Sequence, residues 1–224
     1  MIRLIAFDWN GTLFSDTQTI LNADNIVLNR FSVKPIGIKK FRESFQVPVI
    51  HYWKALGLSD AFLKKNLKKM ENYFTGVYEP LADKTRSRAG VKAVLEFLKK
   101  EKIISIIYSN HTTPNIERQL NRLKINNLVA RVLARAIGDN SQIHSRTKEQ
   151  KLLSFIKQQK LKPREVLTIG DTEEEIEIGK KHGYRTVAIT GGYNTTKRLT
   201  KHHPDYLIHN MLELKKIVEK LNNN

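Results

Sequence analysis

From residue 89 onward, short apolar runs alternate with stretches of helical spacing. The runs, most of which contain β-branched residues, occupy 103–108, 132–136, 166–169, 186–189 and 206–208. The stretches that repeat apolar residues every three or four positions cover 91–98, 116–123, 148–159, 174–182 and 211–221. Strands that alternate with helices of this length form βαβ units. The pattern therefore predicts an α/β fold built on a doubly wound, Rossmann-like parallel sheet.

The first predicted strand ends on an acidic residue. Residues 2–7 form a nearly continuous apolar run, which is typical of a strand buried on both faces, and Asp8 follows directly. Gly11 and Thr12 come next, where a tight loop needs a residue without a side chain. Open α/β sheets bind their ligands at the carboxyl edge of the strands. A ligand site at Asp8 and an ordinary strand followed by an Asx-type turn both fit this stretch alone.

The segment 14–84 contains helical stripes and no strand pattern. Its stripes are interrupted at Lys34-Pro35, and Ser59 is positioned as the N-cap of a helix that carries apolar residues as far as Phe74. A connection of roughly 70 residues is far longer than ordinary βα loops. We therefore predict an α/β core of residues 1–13 and 85–224, and a small helical cap domain of residues 14–84 inserted after the first strand.

The formal net charge of +17 at pH 7 restricts the possible partners. Nucleic acid or an anionic membrane surface would suit such a charge. However, the densest basic clusters, 64–69 and 197–203, lack the interleaved aromatic residues of single-strand binding grooves. We favour a solvated, lysine-rich surface that helps phosphorylated substrates approach, and nucleic acid remains a less favoured partner.

Cysteine and long apolar runs are both missing from the sequence. Without cysteine, neither a disulfide framework nor a thiolate site is possible. No apolar run approaches the roughly 18 residues that a membrane helix requires. Asp8 interrupts the apolar N-terminus, so we expect no signal peptide. We expect a cytoplasmic protein without a membrane partner, and the oligomeric state stays open.

Polar residues also follow two later strands. Ser109 and Asn110 end the strand 103–108, and both could bond a phosphate oxygen. Gly170-Asp171 end the strand 166–169 and precede three glutamates, and Lys148 opens the helix between these strands. Each feature has an ordinary explanation as a helix cap, a surface lysine or a helix-dipole partner. The ordered set of carboxylate, hydroxyl, lysine and carboxylate at strand ends favours a common site.

These residues resemble the four motifs of the haloacid dehalogenase superfamily, in its phosphoglycolate phosphatase-like branch. The motifs are Asp8-Trp-Asn-Gly-Thr12, Ser109, Lys148, and Gly170-Asp171 with Glu175. The first and fourth are specific and the other two are weak, but the resemblance covers the whole chain, including the inserted helices. It implies a Mg²⁺-dependent phosphatase of a small phosphorylated metabolite.

The resemblance also implies a role for each residue. Asp8 would be the nucleophile that forms an aspartyl-phosphate. Mg²⁺ would be held by Asp8, the backbone carbonyl of Asn10 and Asp171, with Glu175 in the outer shell or bound through water. The phosphate oxygens would contact Ser109, Asn110, Lys148 and the backbone N–H groups of Gly11 and Thr12. Lys151 is the alternative to Lys148.

Asn10 departs from the family pattern. Most phosphatases of the superfamily carry there a second aspartate, the general acid and base, and an amide can perform neither task. A slow phosphatase, a substrate with a stable leaving group and a substitute acid are all compatible with Asn10. His111 is the local candidate for the acid and is otherwise expected to be a surface histidine at a helix start. The alternative functions are a nucleic-acid-end phosphatase and a catalytically weak regulator that binds a phosphorylated ligand.

Overall fold

Six parallel strands form one sheet in the computed structural model, which describes residues 1–139, 141 and 147–223. The strand order is β3-β2-β1-β4-β5-β6, which places β1 in the middle of the sheet. The strands are β1 (Leu4–Phe7), β2 (Ile104–Thr112), β3 (Arg131–Arg135), β4 (Val166–Gly170), β5 (Arg185–Ile189) and β6 (Tyr206–Ile208). The predicted α/β fold with a doubly wound, Rossmann-like parallel sheet is confirmed.

Ten α-helices lie in the described ranges. They are α1 (Thr17–Arg30), α2 (Ile38–Ser44), α3 (Val49–Ala55), α4 (Asp60–Ala82), α5 (Val91–Lys100), α6 (Thr113–Arg122), α7 (Lys148–Gln158), α8 (Glu173–Lys181), α9 (Thr196–Lys201) and α10 (Glu213–Asn223). The sequence pattern missed α9, because this helix is only six residues long and buries a single side chain, Leu199. None of these helices combines the length and the apolar composition needed to span a bilayer.

Strand β1 is buried on both faces, as its apolar run predicts. Ile5 and Phe7 pack into one hydrophobic cluster, and Leu4 and Ala6 pack into another on the opposite side of the sheet. All four side chains are fully buried. Alternate residues of a strand point to opposite faces, so helices that cover both faces shield β1 completely.

Helices α1–α4 follow β1 and precede the rest of the sheet. They share a hydrophobic cluster of their own, to which the core contributes Tyr193 from the loop after β5. The N-cap prediction for α4 is confirmed, since the Ser59 hydroxyl accepts a hydrogen bond from the Phe62 N–H at 3.2 Å. The lysines of the 64–69 cluster lie exposed on α4, as a solvated face requires. The domain boundaries at residues 13/14 and 84/85 stay a prediction.

Strand β2 is longer than predicted and irregular at its end. Tyr108 pairs with Leu133 and Thr112 pairs with Arg135, so three residues of β2 lie opposite one residue of β3. Such a bulge redirects side chains at the end of a strand. It contains Ser109, Asn110 and His111, which places all three at the carboxyl edge of the sheet.

Candidate active site

The sheet order brings the predicted strand-end residues together. β1 lies between β2 and β4, with Phe7 in register with Ile107 and with Ile169. The next residue, Asp8, therefore lies beside the ends of both neighbours, and its N–H donates to the Ile169 carbonyl at 2.9 Å. Asp8, Ser109 and Asp171 are all buried at this edge.

Lys148 lies at the centre of this edge. Its side chain is 2% exposed, and its Nζ lies 3.2 Å from Asp8 Oδ1 and 3.0 Å from Glu174 Oε2. It also contacts Glu175 Oε1. Lys151 lies one helical turn further along and donates to the Ala134 carbonyl instead. The structure thus brings Lys148, and not Lys151, to Asp8.

Negative charge exceeds positive charge among these buried groups. Burial raises the pKa of Asp8 well above its usual value, and Glu175 and Asp171 raise it further although Lys148 lowers it. Burial and the neighbouring Glu175 raise the pKa of Asp171 to about 7. Burial alone would lower the pKa of Lys148, but the surrounding carboxylates raise it well above the ordinary lysine value. One ammonium group therefore faces several carboxylates, and further positive charge would stabilise them.

The donor set fits Mg²⁺ in its chemistry. Carboxylate and carbonyl oxygens are the ligands that this ion prefers. Within the described ranges, no three acidic or histidine side chains converge as a metal site. However, the ligand set implied by the family contains only two such side chains, Asp8 and Asp171, besides the Asn10 carbonyl. A cation between these two carboxylates would lower both of their raised pKa values, so the residues present fit the ion.

Asp171 is enclosed by the loop after β1 and by the loop after β5. Thr12 Oγ1 donates to its Oδ1 at 2.7 Å, and the Tyr193 N–H donates to its Oδ2 at 2.6 Å. Gly11 has a φ of +73°, and a Cβ there would lie 2.2 Å from Asp171 Oδ2. A Cβ at Gly192 would lie 2.1 Å from the same oxygen. Both positions require glycine because any side chain would displace the carboxylate.

Several predicted contacts differ from what the structure contains. The Gly11 N–H donates to Asp16 Oδ1 at 2.7 Å, and the Thr12 N–H donates to the Trp9 carbonyl at 3.3 Å. The expectation that these two N–H groups bind phosphate is therefore not met here. Ser109 Oγ accepts from the His111 N–H at 3.2 Å, which leaves its own O–H as a donor.

Sequence reasoning missed a buried carboxylate next to Asn10. Asp16 is fully buried, and its Oδ2 accepts from Asn10 Nδ2 at 2.7 Å. The hydroxyls of Tyr78 and Tyr193 donate to the same oxygen at 2.6 and 2.7 Å. Burial raises the pKa of Asp16, although these hydrogen bonds lower it. The only sequence signal is an acidic residue just before a helix, which is typical of an N-cap, yet Asp16 makes no capping bond.

Glu174 is a second residue that the sequence did not single out. It is 2% exposed and lies between Lys148 and Asn110, whose Nδ2 donates to Glu174 Oε2 at 2.9 Å. Glu175 instead closes the capping box of α8, since its Oε2 accepts from the Thr172 N–H and hydroxyl at 3.1 and 2.6 Å. The amide of Asn110 is thus bound to a carboxylate, while its Oδ1 has no partner among the described residues.

The expectation of a surface histidine at position 111 is wrong. His111 lies in the β2 bulge, its side chain is 12% exposed, and its Nε2 lies 3.4 Å from Glu79 Oε1. Burial, with smaller effects of Arg135 and Arg118, lowers the pKa of His111 to about 3. A histidine with that pKa is neutral at physiological pH, so the structure does not favour it as the substitute acid.

Comparisons with known proteins agree with this geometry. Residues 5–189 match the family model of haloacid dehalogenase-like hydrolases. Phosphoglycolate phosphatase 1 of Pseudomonas aeruginosa is 24% identical over 95% of this chain and 78% of its own length. The phosphoglycolate phosphatase of Haemophilus influenzae is 24% identical over 96% of this chain and 98% of its own.

Solved structures support the same fold. A haloacid dehalogenase-like family hydrolase from Streptococcus pneumoniae superposes with a TM-score of 0.81 at 21% identity, covering 97% of this chain and 98% of that chain. A predicted phosphatase from Clostridium acetobutylicum gives a TM-score of 0.80 at 18% identity, covering 98% and 99% of the two chains. At these identities, the structures establish similarity of fold.

The position of Lys148 predicts a large effect on stability. Replacing Lys148 by alanine leaves buried carboxylates without their cation, and we expect the free energy of unfolding at pH 7.5 to fall by about 3–5 kcal/mol. Urea unfolding measures this loss. Lys151→Ala is the matched control, because it removes one hydrogen bond to a backbone carbonyl, worth about 1 kcal/mol. Equal losses in the two variants would contradict the central position of Lys148.

Proposed function

This chain belongs to the haloacid dehalogenase-like hydrolase family, and we propose that it is a phosphatase of a small phosphorylated metabolite. The observation that carries the proposal is the buried contact between Lys148 and Asp8 at the carboxyl edge of the sheet, 3.2 Å long. A carboxylate at this position can act as a nucleophile, and the ammonium group beside it can bind the phosphate that it attacks. The phosphoglycolate phosphatases that the chain resembles support the same reaction class.

In the proposed reaction, a carboxylate oxygen of Asp8 attacks phosphorus. The bond from phosphorus to the ester oxygen breaks, and the leaving oxygen keeps its electron pair and takes up a proton. Water then attacks the phosphorus of the aspartyl-phosphate, which releases inorganic phosphate and restores Asp8. Lys148 stabilises the negative charge on the phosphoryl oxygens in both steps.

Mg²⁺ is the proposed cofactor. Asp8, the Asn10 carbonyl and Asp171 would hold it, and when bound it neutralises charge on the phosphate. Glu175 would act from outside this ligand set, because its carboxylate already binds Thr172 and Lys148. Thr12 and the Tyr193 N–H fix the orientation of Asp171.

Other donors must replace Gly11 and Thr12 at the phosphate. Among the described residues, the backbone N–H groups of Trp9 and Asn10 donate to no protein acceptor. They lie in the loop directly after Asp8, so we assign the phosphate contacts to these two N–H groups. The Ser109 hydroxyl and Lys148 complete the proposed set.

Asn10 occupies the position at which the family pattern has the general acid and base. Its amide donates to Asp16 Oδ2 at 2.7 Å, so a carboxylate lies beside position 10 but not at it, where the family pattern has one. The proposed enzyme therefore lacks a positioned acid for the leaving group, and substrates with stable leaving groups suit it best. If the missing acid abolished turnover altogether, the protein would be a regulator that only binds a phosphorylated ligand.

A nucleic-acid-end phosphatase gains no support from the cavity beside the site. This cavity is lined by the carboxylates Asp24, Glu71 and Glu79, which would repel a polyanion. Among the described residues that line it, there is no lysine or arginine from the clusters 64–69 and 197–203. We therefore retain a small metabolite as the substrate.

Replacing Asp8 by asparagine tests the proposed nucleophile. The amide keeps the size of the side chain and cannot form the acyl phosphate, so we expect the Mg²⁺-dependent hydrolysis of p-nitrophenyl phosphate to fall to background. The purified wild type and variant should show the same circular dichroism spectrum. An Asp8→Asn variant that keeps more than a trace of the wild-type rate would exclude the covalent mechanism.

Asp171→Asn tests the proposed metal site. The substitution removes a charged ligand, so we expect the Mg²⁺ concentration for half-maximal activity to rise at least about tenfold. The rise in Tm that Mg²⁺ gives the wild type should also disappear, which measures binding without turnover. Glu173→Gln is the matched control, because Glu173 pairs with Arg198. If the wild type and Asp171→Asn require the same Mg²⁺ concentration, Asp171 is not a ligand of the metal.

Asn10 and Asp16 provide a test of the missing acid. Asn10→Asp alone would place two carboxylates within hydrogen-bond distance, whereas exchanging both residues (Asn10→Asp with Asp16→Asn) keeps one amide and one carboxylate. We expect the double variant to hydrolyse alkyl phosphates on the order of 10²–10⁴-fold faster than the wild type, with a smaller gain for aryl phosphates. Initial rates on matched alkyl and aryl esters measure this.

Slow hydrolysis of the phosphoenzyme would give a different pattern. In that case every substrate gains equally, and the wild type shows a burst of the released alcohol. A folded, Mg²⁺-binding double variant with no gain on any substrate would show that another group already supplies the proton.

A further inference from the structure

A cavity of about 630 Å³ lies between the inserted helices and the carboxyl edge of the sheet. Near the sheet it is lined by polar groups, among them Asn10, Asn110 and Arg135. Towards the inserted helices its walls are mainly apolar and aromatic, with contributions from Ile20, Phe45, Val49, Tyr52, Trp53 and Phe74. Its volume suits a ligand much larger than a two-carbon phosphate ester.

Asp24 is a buried carboxylate in this cavity to which the proposed reaction gives no role. It lies on α1, is 2% exposed, and accepts its one hydrogen bond among the described residues from the Tyr52 hydroxyl at 2.7 Å. No lysine, arginine or histidine in the described ranges acts on its carboxylate. Burial raises the pKa of Asp24 to about 7. An unpaired carboxylate in apolar surroundings is costly, and a cationic ligand would remove that cost.

Aromatic rings surround this end of the cavity. The ring centroids of Tyr52 and Trp53 are 5.1 Å apart, and those of Phe45 and Tyr52 are 5.4 Å apart. Aromatic faces beside a carboxylate are the surroundings in which proteins bind ammonium groups, because both attract a positive charge.

The distribution of charge opposes a second anionic group at this end. Asp24, Glu71 and Glu79 all line the cavity, and Arg135 is the basic residue among its described lining. Arg135 lies at the end of β3, and its Nε contacts the Asn110 carbonyl, so it belongs to the phosphate side. A substrate long enough to reach Asp24 with a carboxylate at its far end would meet repulsion there.

Helix geometry sets the length of the ligand. Asp16 bonds Asn10 at the start of α1, whereas Asp24 lies eight residues further, a rise of about 12 Å along the axis. Ile20 lies one turn before Asp24 and lines the same cavity. A molecule that reaches from the phosphate site to Asp24 must therefore span on the order of 10 Å over an apolar surface.

We propose that the substrate is a phosphate monoester with an apolar or aromatic body and an ammonium group at its far end, and that Asp24 binds this ammonium group. The inference rests on the proposed phosphatase function. It specifies the end of the substrate opposite the phosphate, which the family membership leaves undefined.

A matched pair of substrates tests this assignment. Phosphotyramine carries an ammonium group at the required end of an aromatic body, and 4-propylphenyl phosphate is its neutral isostere with a similar leaving group. We expect kcat/KM of the wild type to favour phosphotyramine by on the order of 10- to 100-fold, the range of one hydrogen bond to a charged group. In Asp24→Asn, this ratio should fall to near one.

The controls separate Asp24 from the general charge of the cavity. Glu79→Gln removes a different carboxylate from the lining and should retain the preference for phosphotyramine. Asparagine at position 24 can still accept the Tyr52 hydrogen bond, so we expect the variant to fold. Its Tm, compared with that of the wild type, checks this. A wild type without the preference, or an Asp24→Asn variant that keeps it, would overturn the assignment.

A binding measurement distinguishes failure of this inference from failure of the proposed function. Calorimetric titration with tyramine, which has no phosphate, should detect binding to the wild type and at least about tenfold weaker binding to Asp24→Asn. If neither aryl phosphate is cleaved but tyramine binds through Asp24, the phosphatase proposal fails and the ammonium site stands. If aryl phosphates are cleaved and tyramine does not bind, the ammonium site fails alone.

Discussion

The contact of the Lys148 ammonium group with buried carboxylates is the interaction on which the site depends. It joins the end of β1, through Asp8, to the start of α7 and to the first turn of α8, through Glu174 and Glu175. Charged side chains that are buried in a protein are tolerated only when they are paired and hydrogen-bonded. The same pairing leaves negative charge in excess at the sheet edge, as the proposed Mg²⁺ site requires, and the bound cation would in turn attract the phosphate.

A second buried carboxylate connects the inserted helices to this edge. Asp16 accepts hydrogen bonds from Asn10 and Gly11 in the first loop, from Tyr78 on α4, and from Tyr193 after β5. Because three segments converge on one side chain, the position of α4 over the site is fixed by hydrogen bonds as well as by apolar packing. The cavity that Asp24 lines extends along α1 beyond this junction, so the proposed phosphate end and ammonium end of the ligand would lie along one helix.

The sequence was sufficient for the sheet and for its strand-end residues. Strands and helices have local periodicities, and parallel strands necessarily bring Asp8, Ser109 and Asp171 to one edge. The tertiary contacts of the site could not be predicted from the sequence. Asp16 looks like a helix cap, and two of its partners, Tyr78 and Tyr193, are far from it in the sequence. The three glutamates 173–175 look equivalent, and only the orientation of α8 turns Glu174 and Glu175 towards Lys148. His111 was expected at a helix start because the bulge in β2 depends on pairing with β3.

Chemical trapping of the phosphoenzyme tests the central claim of covalent catalysis at Asp8 most directly. The wild type is mixed with an aryl phosphate and Mg²⁺, quenched in the steady state and treated with borohydride, which reduces an aspartyl-phosphate to homoserine. An aryl phosphate phosphorylates the enzyme without help from an acid, so a fraction of the enzyme carries the intermediate in the steady state, and peptide mass spectrometry should find homoserine at position 8. Active enzyme with unmodified Asp8, or with the modification at another residue, would contradict the mechanism.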